Sequence, residues 1–415
     1  MRTSSELIRD NILNPTQDAD QQLQEAIRSG DQAAVDQAIE INREVYEHQY
    51  GKDNLGQWKD HVKWSISESG LAQDDAKVAT ANSELDEFIN TDYLQDPMSE
   101  PPIPPSGGGA ESHWNTTPTK VDLFPDGTVS PNDVNQHGLG NCYFDATIAG
   151  MAAQNPEAVK GMITQTGTGD PPTYNVKMFD PSGKPIEVAV NGRTLYDKNG
   201  KTTNNADEQG MPTWATILEK AYAKYNQIYG VVSTTNDKGY GGTAAGGWPR
   251  DVMKAFTGKT ASAGAPDPAA AAQATSDKRP IVAYTWEKTT TTSDGKTIFG
   301  GHAYTVISAD PEKQTVTVRN PWGISDPNGD PNGYVTMSYE DYKRIFASQD
   351  TQDKETPPVS SQTEQNKESS LVNFETATER LKKLNLDTSN SKTNSNNSIN
   401  MDGFFAGLDR LKKAQ

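Results

Sequence analysis

Five prolines between Pro97 and Pro105, followed by Gly107-Gly108-Gly109, divide this chain into parts that cannot share one continuous helix or strand. Proline fixes φ and removes a backbone donor, and three successive glycines supply a hinge. Residues 96–118 therefore read as a linker, and the flanking segments are read separately. Ahead of it, residues 1–100 hold 21 Asp/Glu against 8 Lys/Arg, so most of the net charge of −18 sits there. Within that acidic part, Leu23, Ile27, Val35, Ile39, Val45 and Tyr46 recur mostly at three- and four-residue steps, with Gly30 as a break. A second helical stretch runs from about Asp74 to Ile89. The apolar stripes are thin, which fits a small helical module over 1–95 or a region that orders only on a partner.

Composition narrows the function classes. The acidic balance excludes a nucleic-acid binder, which needs a Lys/Arg surplus to meet phosphates. No apolar run approaches the roughly 20 residues of a membrane span. The first residues lack an apolar signal core, so the expected location is the cytoplasm, or outside by a route without a cleaved signal. One cysteine, Cys142, among 415 residues leaves no internal disulfide framework and no cysteine-rich zinc site.

From about residue 119 to 349 the texture becomes that of a packed domain. TYNVKMFD, PIEVAVNG and RTLYDKNGK read as strands, and PTWATILEKAYAKYNQIYG reads as a long helix. PIVAYTWEK, HAYTVISAD and TVTVRNPWG read as antiparallel strands. A helix-rich half (about 119–240) before a strand-rich half (about 241–349) is the pattern of an α+β protein with a cleft between lobes. Residues 350–415 are rich in Ser, Thr, Asn and Gln and read as a disordered tail. The tail repeats one motif, Phe374 with Glu379-Arg380-Leu381-Lys382-Lys383 and Phe404 with Asp409-Arg410-Leu411-Lys412-Lys413, which is either incidental or a pair of docking motifs.

The chemistry centres on QHGLGNCYFDATIAG, residues 136–150. Cys142 falls at a helix start, where unsatisfied N–H groups and the helix dipole favour a thiolate. Gln136 lies six residues upstream, and its amide, with the Cys142 N–H, would make a two-donor oxyanion hole. Of five histidines, His302 in GGHAYTV is the candidate base, with Gly300 and Gly301 allowing close backbone approach and a strand behind it. A hairpin of HAYTVIS with TVTVRN would return Asn320 alongside His302 to hold its tautomer. Trp322 would cover that bond. Singly, each residue has a structural explanation; together, in this order, they describe a nucleophile, base and orienting amide.

These segments resemble the calpain family of papain-fold cysteine proteases. QHGLGNCYFDATIAGMA is similar to its cysteine segment, GGHAYTVIS to its histidine segment and RNPWG to its asparagine segment. WATILEKAYAKYNQIYG, GGWPRDVMKAFTG and GYVTMSYEDYKRIF follow in the family's order. The resemblance implies a two-lobed, papain-like thiol endopeptidase over about 119–349 acting on protein substrates, with Cys142 and Gln136 on one lobe and His302 and Asn320 on the other. It departs in Tyr143, where the family has Trp, and Asn141, where it has Asp. No EF-hand-type loop is present. In the family each lobe holds a calcium ion, and Asp326 and Asp330 fall where the second lobe's ion loop would lie; an ordinary turn explains this loop equally well. No cofactor is otherwise required. The alternative is an inactive calpain-like peptide-binding or scaffold protein that works through docking partners of its N-terminal helices or tail motifs.

Overall fold

A computed structural model describes residues 1–354 apart from 11–13, 51–54, 74, 104–112, 115–119, 198, 208–209, 231–237 and 329–331. The tail motifs around Phe374 and Phe404 and the Gly107–Gly109 hinge lie outside the described residues. Five helices come first: α1 (Ser4–Asp10), α2 (Pro15–Ser29), α3 (Gln32–Tyr50), α4 (Leu55–Ser67) and α5 (Ala76–Gln95). Gly30 ends α2 in the left-handed region at φ 73°, its N–H meeting the Ala26 and Ile27 carbonyls. Asp75 caps α5 through the Lys77 N–H. The stripes that looked thin along single helices are completed by α4, which periodicity over α2, α3 and α5 did not reveal. Its Trp58, Val62 and Ile66 join Leu23, Ile27, Val35 and Leu85 in one buried core. A fully buried side chain of this kind contributes about 1.5–3 kcal/mol.

The chain then passes onto the protein's second part. Although residues 96–103 read as linker, they are bonded along their length. Lys224 Nζ donates to the Asp96 carbonyl (2.8 Å), Lys220 Nζ pairs with Glu100 (3.0 Å) and the Tyr240 N–H meets the Pro102 carbonyl (2.8 Å).

The following elements are β1 (His113–Trp114), α6 (Cys142–Gln154), α7 (Pro156–Met162), β2 (Ile163–Gly167), β3 (Thr173–Phe179), β4 (Pro185–Asn191), β5 (Leu195–Tyr196) and α8 (Trp214–Tyr229). Then come α9 (Gly239–Thr243), α10 (Pro249–Thr257), β6 (Ala261–Gly264), α11 (Pro268–Ser276), β7 (Ile281–Thr285), β8 (Thr290–Thr291) and β9 (Thr297–Ile298). Last are β10 (Ala303–Asp310), β11 (Thr315–Arg319), β12 (Tyr334–Ser338), α12 (Tyr339–Ile345) and β13 (Phe346–Gln352). The architecture is the α+β, papain-like one expected. In the first lobe's core, α6 and α8, joined by α10 from beyond the expected boundary near residue 240, bury Phe144, Ile148, Trp214, Leu218, Tyr222 and Phe256 with the meander β2-β3-β4. In the second, an antiparallel sheet of order β12-β11-β10-β7-β13-β6 carries its own core of Ile281, Val306, Val316, Val318 and Tyr342.

RTLYDKNGK is strand only at Leu195–Tyr196, because the Asp197 carboxylate accepts from the Asn199 and Lys201 N–H groups and turns the chain at once. Among the described residues, no helix is long and apolar enough to cross a membrane.

Candidate active site

Helix α6 begins at Cys142 and lies across the inner sheet strand β10. Thr305 Oγ1 on β10 donates to the Ala146 carbonyl on α6 (2.7 Å), and a Cβ at Gly150 would already touch the Thr305 methyl. Gly140, two residues before the sulfur, packs so tightly that a Cβ there would sit 2.4 Å from the Ala244 carbonyl oxygen. Small residues therefore let the start of α6 close onto the Ala244 backbone and its later turns onto β10. The backbone of Ala303, the residue after His302, lies close enough to the Cys142 sulfur to favour its ionised form, as does the backbone of Tyr143 and of Cys142 itself.

The second lobe delivers the other pair through strand register. Thr305 is opposite Arg319 in the β10–β11 ladder, so the residues just beyond the ladder end, His302 and Asn320, meet. His302 Nε2 lies 2.8 Å from Asn320 Oδ1. That oxygen also accepts the Trp322 backbone N–H (3.1 Å), which fixes the amide orientation. Nε2 must therefore carry the proton, and Nδ1 is left as the basic nitrogen. Gly301 at φ 61° donates its N–H to the Trp286 carbonyl (2.7 Å), and the His302 N–H reaches Thr285 Oγ1 (3.1 Å). The Trp322 ring packs on the imidazole, with centroids 4.8 Å apart, and Tyr304 meets it edge-on at 5.1 Å.

Electrostatics correct one expectation. Instead of a preformed thiolate, burial pushes the Cys142 thiol up to about 11 against the opposing pull of its backbone donors. Burial likewise lowers His302 to about 4, although the Asn320 hydrogen bond and the Asp326 carboxylate favour its protonated form. Desolvation thus opposes the pull of the helix start and favours the thiol and the neutral imidazole.

Gln136 is buried in the loop beside Cys142, anchored by its N–H to the Pro321 carbonyl (2.9 Å) of the other lobe. Its Nε2 donates to the Leu139 carbonyl (2.7 Å) rather than standing wholly free. An amide nitrogen carries two N–H groups, so one donor remains for a second acceptor.

Asp326 is buried, with Oδ1 accepting the Asn328 N–H (2.8 Å) and Oδ2 meeting no hydrogen-bond partner. Asp330 lies outside the described residues. Among the described residues no group of three or more His, Cys, Asp or Glu side chains is placed to hold a metal ion. Calcium takes six to eight oxygens, and the one carboxylate of this loop among the described residues supplies only part of such a set.

Reading the sequence did not find the polar layer beneath the cysteine loop. Glu219 lies buried on α8, and Asn204, Asn205 and Arg319 are buried as well; the adjoining Lys220 is also buried but reaches Asn191 and Glu100. Charged residues inside an aromatic-rich helix were the available signal, but helical periodicity alone assigns them to solvent.

A family model described as calpain family cysteine protease matches residues 112–351. Calpain-8 of Homo sapiens is 32% identical over 105 residues, 25% of this chain and 15% of that protein. The calpain-2 catalytic subunit of Gallus gallus is 26% identical over 217 residues, 48% and 29% of the two chains. The Homo sapiens calpain-2 catalytic subunit is 25% identical over 289 residues, 61% and 39% of the two chains. In these three matches, then, the chain spans between 15% and 39% of the relative's length. With its cysteine, histidine and asparagine segments in one two-lobed core, this chain belongs to the calpain family of cysteine proteases.

Proposed function

We propose that this protein is a cysteine endopeptidase acting on protein substrates, with Cys142 as nucleophile, His302 as base, Asn320 as orienting residue and Gln136 as oxyanion donor. The observation that carries the reading is the amide lock: Asn320 Oδ1, held by the Trp322 N–H, takes the proton side of His302 and leaves Nδ1 as base. The sulfur at the Ala303 backbone supports it, because that atom borders the same imidazole residue.

The neutral resting pair sets the order of events. When a peptide carbonyl reaches the sulfur, His302 Nδ1 takes the thiol proton as the sulfur–carbon bond forms. Charge developing on the carbonyl oxygen is met by the Cys142 N–H and the remaining Gln136 N–H. The imidazolium, held by Asn320 and covered by Trp322, returns its proton to the leaving amine. Water, deprotonated by the same nitrogen, then opens the thioester, releasing the acid product and restoring the thiol.

The raised thiol and lowered imidazole also favour a second reading, a calpain-like scaffold that binds peptides without cleaving them. Turnover of denatured casein by the full chain separates the two. Cys142→Ala and His302→Ala each reduce it to background under the protease reading, and a wild type that neither turns over casein nor reacts with a peptidyl thiol electrophile leaves the scaffold reading.

A further inference from the structure

The buried carboxylate of Glu219 lies where it touches both halves of the site. Its Oε1 accepts from Asn141 Nδ2 (2.6 Å), and Asn141 is the residue before the nucleophile. Its Oε2 accepts from the Asn205 N–H (2.8 Å). The Asn205 side chain in turn accepts the Asn135 N–H at Oδ1 (3.0 Å), and Asn135 is the residue before Gln136. Asn205 Nδ2 donates to Asp145, one turn into the cysteine helix. Asn135 Oδ1 accepts the Ile324 N–H (3.3 Å), which ties the layer to the loop after Trp322.

Asn141 stands at the N-cap of α6 but makes no cap with its side chain. Ordinarily an Asn there accepts from a first-turn N–H and stabilises the helix by about 1 kcal/mol. Here the amide nitrogen donates to Glu219 instead, and Oδ1 is buried without a hydrogen-bond partner.

Resting on the endopeptidase reading, we infer that Glu219 is a positioning residue for catalysis: one carboxylate on α8 sets both the nucleophile, through Asn141, and the oxyanion glutamine, through Asn205 and Asn135. Both of its oxygens act as acceptors, so the role requires a carboxylate and not merely a polar side chain. Burial pushes the neighbouring Asp145 well above the usual carboxylate range, and Glu219's charge adds to that push. Glu219 itself is pushed up by burial to about 7, and the Asn205 and Asn141 donors pull it back down.

Glu219→Gln keeps size and shape but offers one acceptor and one donor, so one of the two contacts becomes N–H against N–H. Adding Asn141→Asp reverses the pair: the carboxylate introduced at position 141 accepts from the amide introduced at position 219, whose oxygen still accepts the Asn205 N–H. Steady-state hydrolysis of a peptide substrate by the full chain reads the effect. Glu219→Gln lowers kcat about 10–100-fold with KM within about twofold, the pattern of misplaced reacting groups, and the double variant recovers at least about tenfold of that loss.

Alkylation of Cys142 by iodoacetamide reads the same loop without turnover and accelerates about fivefold or more in folded Glu219→Gln as the loop loosens. A folded Glu219→Gln with wild-type kcat and alkylation overturns the inference. So does a folded double variant no better than the single one. If Glu219→Gln does not fold, the double variant decides: folded and active supports positioning, whereas unfolded or inactive reduces Glu219 to a folding role. A wild type without turnover overturns the endopeptidase reading instead, and alkylation then still tests whether Glu219 sets the cysteine loop.

Discussion

Asn320 Oδ1 accepts two hydrogen bonds at once, from the His302 ring at 2.8 Å and from the Trp322 backbone at 3.1 Å. The second makes the first directional, because an amide flipped to present its NH2 would face the Trp322 N–H donor to donor. A side chain that is free to rotate in sequence terms is thereby reduced to one orientation, and the imidazole inherits its tautomer from a backbone group two residues beyond the asparagine.

Asn320→Ala removes that lock while Cys142 and the ring remain. Casein hydrolysis falls about 10–100-fold but stays above the Cys142→Ala background, since only orientation is lost. A progress-curve comparison of the two variants checks this; equal residual rates would count against an orienting role.

Cys142 in the free protein alkylates slowly at neutral pH. With the thiol pushed up to about 11, the rate constant for iodoacetamide climbs across the alkaline range rather than levelling off below pH 7. A rate profile with its midpoint near pH 4 would show a preformed ion pair instead.

Acid lowers stability through His302. Its folded pKa of about 4 lies below the free value of 6.5, so the unfolded chain binds the proton first as pH falls. The contribution is fully present above pH 6.5 and is lost towards pH 4. Urea midpoints measured across that window decline in the wild type, and the part due to His302 is missing in His302→Gln.

Glu100→Ala removes the carboxylate paired with Lys220, whose side chain is only 1% exposed. Breaking a buried pair from one side costs about 3 kcal/mol, read as a lower urea midpoint. No change would mean that residues 96–103 merely rest on the core.

Excess chelator leaves the hydrolysis rate unchanged. The lobes are bridged directly, by Arg319 Nη2 to the Val134 carbonyl (2.7 Å), the Gln136 N–H to the Pro321 carbonyl (2.9 Å) and Tyr334 to Asn132 (2.8 Å). A rate that collapses with chelator and returns with calcium would show that an ion completes this alignment.

How much of this was readable in advance follows from the range of the forces involved. Helix and strand periodicity, the break at Gly30 and the hairpin that returns Asn320 to His302 are local or near-local patterns, and the sequence carries them openly. So does the order of Gln136, Cys142, His302 and Asn320 that marks the resemblance to calpains. Other features depend on what packs from far along the chain. Helix α4 completes a core that looked too thin, Lys220 and Lys224 bind a stretch that reads as free linker, and Glu219 reaches Asn141 across 78 positions. The charge state of the site belongs to the same class. A cysteine at a helix start favours a thiolate through local dipoles, yet burial pushes the Cys142 thiol up, and burial is a property of the assembled fold that no local pattern encodes.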